Sequence, residues 1–372
     1  MLRTAVRNSN RHHHPIHNTP TFAMNAPPTS ASVDTLSAAF DIYQSIKRSC
    51  ESKVQGRSDV IDLILIALLA DGHVLLEDHP GSGKTTLAKA LGECITRPEG
   101  QDHRFASFRR IQFTPDLLPS DVTGSTVFDP NSNQLTYQPG PVFANIVLAD
   151  EINRTSPKVQ ASMLEAMAEK QVTVDNVTHP LEDIFLVLAT QNPLDQAGTY
   201  PLPKAQLDRF LFKIRMTFLP REAELDVLRM KYPQCRGDEP ADASPIVAAP
   251  VITPTGLVQT RQTIASHVRI DRSIQETLVD VACGLRDDKR VHQGISTRSL
   301  VVAIPALQAH AFINGRDFVT PDDIKALAFP IFGHRLELKH GLTNSDEVIE
   351  TVMAPIVDRV SSQSVRLWDK AK

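Results

Sequence analysis

Cysteine is scarce: four residues in 372 (Cys50, Cys94, Cys235 and Cys283), far apart and with no C-x-x-C pair. That excludes a disulfide scaffold and a cysteine metal cage, fits a reducing cytosol, and leaves the thiols as structural side chains. Basic residues are not in excess. The net charge is -4, so there is no broad cationic face for a nucleic-acid backbone. Long apolar runs are missing too. The most apolar stretch, Val60 to Ala70, is broken by Asp62 and is too short to span a bilayer. Residues 1 to 32 hold no run of the secretory type. A cytoplasmic chain without a membrane span is expected. What remains is an ordinary globular composition, 41% apolar and 22% charged, at a length where two domains are the default.

Two stretches carry chemistry. Val74-Leu75-Leu76 reads as a strand, Asp78-His79-Pro80-Gly81-Ser82-Gly83-Lys84-Thr85 as a loop, and Thr86 to Leu91 as a helix. Glycines let successive N–H groups converge on one point, and the helix start adds positive potential there. The cradle runs over His79, Pro80, Gly81, Ser82, Gly83, Lys84, Thr85 and Thr86. Lys84 would reach the β- and γ-phosphates, and the Thr85 hydroxyl would ligate Mg²⁺. Asp78 stands where the usual pattern has Gly; it tolerates unusual φ, and its carboxylate is expected to point away from the phosphates. The second stretch, Ile146-Val147-Leu148-Ala149, is a buried-strand pattern ending in Asp150-Glu151. Asp150 would hold the Mg²⁺ shell, and Glu151 would orient and deprotonate an attacking water.

Residues 1 to 32 are too poor in core-forming side chains to fold, and His12, His13, His14 and His17 are read as part of a floppy tail. From Val33 to Lys53, Leu36, Phe40, Tyr43 and Ile46 keep a helical period, with Ser32 or Asp34 as cap. Val54 to Arg57 is a turn, Ser58 caps a second helix, and Asp71-Gly72 ends it. Strands are predicted at His73–Glu77, Arg110–Phe113, Ile146–Asp150, Ile184–Thr190 and Leu211–Met216, with helices between several of them. That alternation predicts an α/β domain with a mostly parallel sheet and its ligand at the carboxyl ends of the strands.

Two stretches interrupt the alternation. Thr114 to Phe143 has no helical period and reads as an inserted loop or hairpin. Gln171 to Leu181 alternates about Asp175-Asn176 as a hairpin. Ser156-Pro157 opens a helix whose apolar face is Val159, Met163, Ala166 and Met167. Asn192 stands after the fourth strand, where it could polarise water or simply start a turn with Pro193. Arg209 precedes the last strand and could reach a neighbouring chain's γ-phosphate. From Pro220 to Lys372 the chain reads as a smaller helical domain. The proline-rich stretch 233–255 is irregular, helices lie at Arg221–Met230, Val258–Ser266, Ile274–Leu285 and Arg298–Ile313, and Thr320-Pro321-Asp322-Asp323 starts another.

These pieces together resemble the AAA+ ATPases, and within them the MoxR family, from about Ile42 onward. The specific stretches are 75–85, Arg-Ile-Gln-Phe-Thr-Pro-Asp-Leu-Leu-Pro-Ser-Asp-Val-Thr-Gly (110–124), Leu-Ala-Asp-Glu-Ile-Asn-Arg (148–154), Ala-Thr-Gln-Asn-Pro (189–193) and Gln-Leu-Asp-Arg-Phe (206–210). The resemblance implies a P-loop ATPase core over 33–219 with a five-stranded sheet, and a helical lid over 220–372. Lys84 and Thr85 become Walker A, Asp150 and Glu151 Walker B, Asn192 sensor 1 and Arg209 the arginine finger. In Gly294-Ile295-Ser296-Thr297-Arg298, Arg298 becomes sensor 2, touching the γ-phosphate of its own chain. The two interruptions become the helix-2 insert and the pre-sensor hairpin. ATP and Mg²⁺ are the implied ligands, and a hexameric ring the implied assembly. Protein clients are the implied substrates, with a von Willebrand A domain protein as a candidate partner. Two other readings stay open: a nucleic-acid motor, and a nucleotide-binding scaffold that does not turn over.

Overall fold

The computed structural model describes residues 30–77, 81–97, 104–131, 133–192, 198–232 and 252–370. Readings that fall on residues 1 to 29, on Asp78, His79, Pro80 and Pro193, and on 233–251 lie outside the described residues.

The chain enters through two helices, α1 (Ser30–Lys53) and α2 (Ser58–Leu69). Helix α1 begins at Ser30, ahead of the expected cap positions Ser32 and Asp34. Ser58 is likewise the first residue of α2, with Arg57 in the cap position. Asp71-Gly72 does end α2. Asp71 takes the left-handed conformation (φ 57°), and the Gly72 N–H returns to the Ala67 carbonyl at 2.8 Å, the 6→1 bond that closes a helix end.

The central sheet has five strands in the order β2-β5-β8-β1-β9, all parallel. They are β1 (Val74–Glu77), β2 (Ala106–Gln112), β5 (Ala144–Asp150), β8 (Leu186–Gln191) and β9 (Phe212–Arg215). Strand β2 starts four residues earlier than its sequence suggests. It is an edge strand with a single fully buried residue, Ile111, so its first residues carry no continuous apolar run. Side chains alternate between two cores, as strand geometry requires. Val74, Leu76, Ile146, Leu148, Leu186 and Leu188 face one cluster, and Leu75, Val147, Ala149, Val187 and Ala189 face the other. Helix α3 (Lys84–Glu93) packs in the first cluster and α5 (Pro157–Glu169) in the second. The Met163 and Met167 stripe of α5 is buried core. Ser156 stands at the cap of α5, although its side chain makes no capping bond.

Both interruptions are hairpins. The first follows a one-turn helix, α4 (Pro119–Thr123), and pairs β3 (Gly124–Asp129) with β4 (Gln134–Pro139). The second pairs β6 (Gln171–Val174) with β7 (Val177–Pro180) around Asp175 and Asn176, both at positive φ. Gly124 has φ +95°, and a Cβ there would lie 2.3 Å from the Gln138 carbonyl oxygen, so this corner admits only glycine.

After a four-residue helix, α6 (Lys204–Leu207), and β9, the chain turns helical: α7 (Arg221–Lys231), α8 (Pro254–His267), α9 (Arg272–Asp287), α10 (Thr297–Ile313), α11 (Pro321–Phe332) and α12 (Ser345–Lys370). A small antiparallel ribbon, β10 (Val291–Gln293) with β11 (Glu337–Leu338), ties α9 to the end of α11. Helix α8 begins at Pro254, earlier than its apolar period shows. The Thr253 hydroxyl accepts the Gly256 N–H and starts it. The apolar core on the first face of the sheet runs without a break from Ala39 in α1 to Val357 in α12. Among the described residues no helix is long and apolar enough to cross a membrane.

Candidate active site

The strand register assembles the site. Gln112 pairs with Asp150 across β2 and β5, Ala149 with Ala189 across β5 and β8, and Glu77 with Gln191 across β1 and β8. The carboxyl ends of four strands therefore stop side by side, and the glycine loop leaves β1 at that edge. A cleft of about 440 Å³ opens there. It is lined by Gly81, Ser82, Gly83, Lys84, Thr85, Thr86, Asp150, Glu151 and Asn192, together with Arg110, Gln112 and Thr190. Every described residue of the predicted cradle is present, with both carboxylates and the asparagine. His79 and Pro80 are outside the described residues.

The loop is shaped for an anion. Gly81 and Gly83 have φ +90° and +91°, a conformation that favours glycine. A Cβ on Gly81 would meet nothing within 4 Å, so the backbone faces open space. Gly83 occupies the N-cap of α3, and Lys84 and Thr85 form the first turn, where the N–H groups have no partner within the helix. The Ser82 Oγ is buried without a hydrogen-bond partner, an orphan that a phosphate oxygen would satisfy. The donor set fits a magnesium triphosphate: a hydroxyl (Thr85), a carboxylate (Asp150) and a lysine. Among the described residues there is no cluster of three His, Cys, Asp or Glu side chains able to hold a metal by itself.

Three residues to which the sequence alone assigns no role hold the carboxylates. Thr190, buried on β8, donates its hydroxyl to Asp150 Oδ1 at 2.7 Å and accepts the Glu151 N–H at 2.9 Å. Arg110 donates through Nη2 to Asp150 Oδ2 at 2.6 Å and to Gln112 Oε1 at 2.7 Å. Gln112 in turn donates to Glu151 Oε2 at 3.0 Å. Glu151 itself sits at φ 58°. A non-glycine residue in that region is strained, and the Thr190 bond falls on its own amide. The one sequence signal for the β2 pair is its spacing: two long polar side chains at i and i+2 share a strand face.

Arg209 and Arg298 do not line this cleft. They line a second cavity of about 330 Å³ with Asp71, His73, Asp208 and Arg335. Gly72 and His73 precede β1, and Asp208 to Leu211 precede β9, so this cavity is at the amino ends of the strands. With a rise of about 3.3 Å per residue, β1 alone places roughly 13 Å of packed sheet between the two sites. Arg298, expected at the phosphate of its own chain, lies in this second cavity and meets Asp208, Nε to Oδ2 at 3.9 Å. Its helix starts as the sequence suggests, with Ser296 accepting the Ser299 N–H.

The two hairpins touch. Tyr137 of β4 stacks on His179 of β7, ring centroids 3.8 Å apart and planes 13° apart. On the first hairpin Phe128 and Leu135 form a direct cross-strand pair, 53% and 71% exposed.

Comparison with known proteins places this architecture. Residues 73–212 match the model of the ATPase family associated with various cellular activities, and residues 284–354 match an AAA lid domain. The uncharacterised protein YeaC of Bacillus subtilis is 44% identical over 316 residues, 84% of this chain and 93% of that protein. Chaperone MoxR1 of Mycobacterium tuberculosis is 34% identical over 328 residues, 83% of this chain and 81% of that protein. The crystal structure of a candidate ATPase from Cytophaga hutchinsonii superposes with a TM-score of 0.75 at 34% identity, covering 87% of this chain and 97% of that one. With a parallel five-stranded P-loop core, a helical lid and relatives of this identity over most of their length, the chain belongs to the MoxR family of AAA+ ATPases.

Proposed function

We propose that the chain hydrolyses ATP between neighbouring copies of itself, in a closed ring with six as the expected number, and uses the cycle to remodel client proteins. The observation that carries this reading is the separation of the two sites. The phosphate cradle and its carboxylates occupy the carboxyl ends of the strands, and the two arginines with the chemistry of a γ-phosphate clamp occupy the amino ends. One copy holds half of a hydrolytic site at each end, and head-to-tail contact joins the halves.

In this reading the loop amides and Lys84 bind the phosphates, and Ser82 adds its unpaired hydroxyl. Thr85 and Asp150 would hold Mg²⁺, which supplies charge neutralisation at the β- and γ-phosphates. Glu151, placed by Thr190 and Gln112, takes a proton from the attacking water, and Asn192 orients that water. Arg209 and Arg298 of the adjoining copy stabilise the charge of the transition state. Loss of the γ-phosphate removes what both arginines hold, and the interface is free to shift. The exposed Phe128–Leu135 pair on a projecting hairpin suits a transient apolar contact with a client, and the chaperone name of a 34% identical relative points the same way.

Glu151→Gln tests the chemistry. The variant binds a fluorescent ATP analogue with the parent's affinity and releases phosphate at least 100-fold more slowly. Dilution tests the interface: turnover per chain falls as the protein is diluted below its assembly concentration. Equal turnover per chain in monomer and oligomer removes Arg209 and Arg298 from the reaction.

A further inference from the structure

The second cavity contains a third guanidinium, and it is built differently from the other two. Arg335 is on the turn after α11, and its side chain is only 3% exposed. A guanidinium has five N–H donors, and here five acceptors surround it. Nε donates to Asp208 Oδ1 at 2.8 Å. Nη1 donates to the Leu211 carbonyl at 3.2 Å and to the Ile331 carbonyl. Nη2 donates to the carbonyls of Phe210 at 2.7 Å and Asp208 at 3.3 Å. Four of these five acceptors lie in Asp208–Leu211, the segment that carries Arg209. The adjacent His334, kept neutral by burial, donates from Nε2 to the Phe210 carbonyl at 3.1 Å. The residues on both sides of Arg209 are thus held from the lid.

Asp208 completes the set. The carboxylate that receives Arg335 through Oδ1 faces Arg298 through Oδ2, and the Ser299 hydroxyl lies 3.5 Å from Oδ1. A single carboxylate therefore sets the Arg209 segment and the first turn of α10 against each other. Packing alone does not call for this arrangement. A buried ion pair adds little net stability over an apolar pair of the same size, and its best-attested use is to specify one geometry.

We propose that Arg335 is a positioning residue for the arginine pair: it fixes the Arg209 segment and, through Asp208, orients Arg298, so that both guanidinium groups reach a neighbour's phosphate together. This rests on the proposal that Arg209 and Arg298 act on an adjoining copy. Arg335 is too buried to touch that phosphate itself. Because it belongs to the lid and its partners precede β9, any rotation of the lid is passed directly to Arg209.

The test separates positioning from folding. Arg335→Lys keeps the charge but has three donors on a point cation, and Asp208→Asn keeps the shape while losing the charge. In each variant the carboxyl-end cleft is untouched, so affinity for a fluorescent ATP analogue stays within about threefold of the parent. Phosphate release at saturating ATP falls about 100-fold, the loss expected when a catalytic group is displaced by about 1 Å. Each variant is then mixed with Lys84→Ala, which has a dead cleft and intact arginines. The mixture recovers at least tenfold in phosphate release, because Lys84→Ala copies present their arginines to clefts of the Arg335→Lys or Asp208→Asn copies. Arg209→Ala mixed with Lys84→Ala is the control. Recovery in the control but not with the Arg335 and Asp208 variants overturns the positioning role and leaves the shared site standing. No recovery in the control overturns both. Turnover at the parent rate in Arg335→Lys and Asp208→Asn also overturns the positioning role.

Discussion

Thr190→Val removes one oxygen from the centre of the cleft, and its cost can be worked out bond by bond. Valine matches threonine in shape and suits a strand, so the backbone of β8 has no reason to move. Two hydrogen bonds go: the one to Asp150 Oδ1 at 2.7 Å and the one from the Glu151 N–H at 2.9 Å. The first is a hydrogen bond to a carboxylate, worth roughly 1.5–3 kcal/mol, and the second leaves a half-buried donor unpaired at a cost of about 1–3 kcal/mol. Asp150 keeps Arg110 and some solvent access, which offsets part of the first, and the net loss of stability comes to about 3 kcal/mol. For a chain of this size that lowers the melting temperature by roughly 5 °C. The larger consequence is at Glu151. Its left-handed backbone costs about 1–2 kcal/mol, the same size as the bond that opposes relaxation. Without Thr190 the strain is released, the carboxylate shifts, and hydrolysis falls about 100-fold with little change in nucleotide affinity. Thr190→Ser, which restores the hydroxyl, recovers most of both losses. Scanning calorimetry and a phosphate-release assay on the three proteins decide the matter. A valine variant that melts within about 1 °C of the parent and hydrolyses at its rate would show that the Thr190 hydroxyl holds neither Asp150 nor the Glu151 backbone.

Two further outcomes depend on charge. Arg110→Met costs less than about 1 kcal/mol of stability, because its pair with Asp150 is 47% exposed on the arginine side and screened by water. It weakens ATP binding about tenfold through the loss of a positive charge facing the phosphates; unchanged affinity in a fluorescent-analogue titration would show that the guanidinium stays on Asp150 when nucleotide arrives. His73 makes stability depend on pH. Its Nδ1 accepts the Val187 N–H and its Nε2 donates to the Met167 carbonyl, both at 3.1 Å, and burial pushes the ring down to about 4 from about 6.5 in an unfolded chain. The folded value is the lower one, so the stability is complete above pH 6.5 and is lost as the pH falls toward 4, by on the order of 3 kcal/mol at the acid end. Urea unfolding from pH 7 to pH 4.5 shows a falling midpoint that His73→Gln flattens; equal slopes in the two proteins would remove His73 as the source.

What the sequence reveals and what it hides divide along a physical line. The glycine loop and the Asp150-Glu151 strand end are legible because the chemistry demands fixed residue types at fixed local spacing, and local spacing survives in one dimension. The cleft's other half is not local. Arg110 and Thr190 are each forty residues from Asp150, and only the order β2-β5-β8 makes them neighbours. Helix α12 is hidden for a different reason. Val348, Ile349, Met353 and Val357 give it a buried face, but Pro355 stands inside it, and a proline within a helix argues against one. Arg298 is the instructive case. Its turn and helix start read correctly, yet nothing near it in sequence says which end of the sheet α10 faces. That depends on α10 docking beside Gly72 and His73, a contact across more than two hundred residues. The same docking that takes Arg298 away from its own phosphate cradle brings it to Asp208, the carboxylate that also receives Arg335. Arg209 and Arg298 stand together at the end of the sheet away from their own phosphate cradle, and the proposed ring, in which a second copy supplies the phosphate, gives the pair a common purpose.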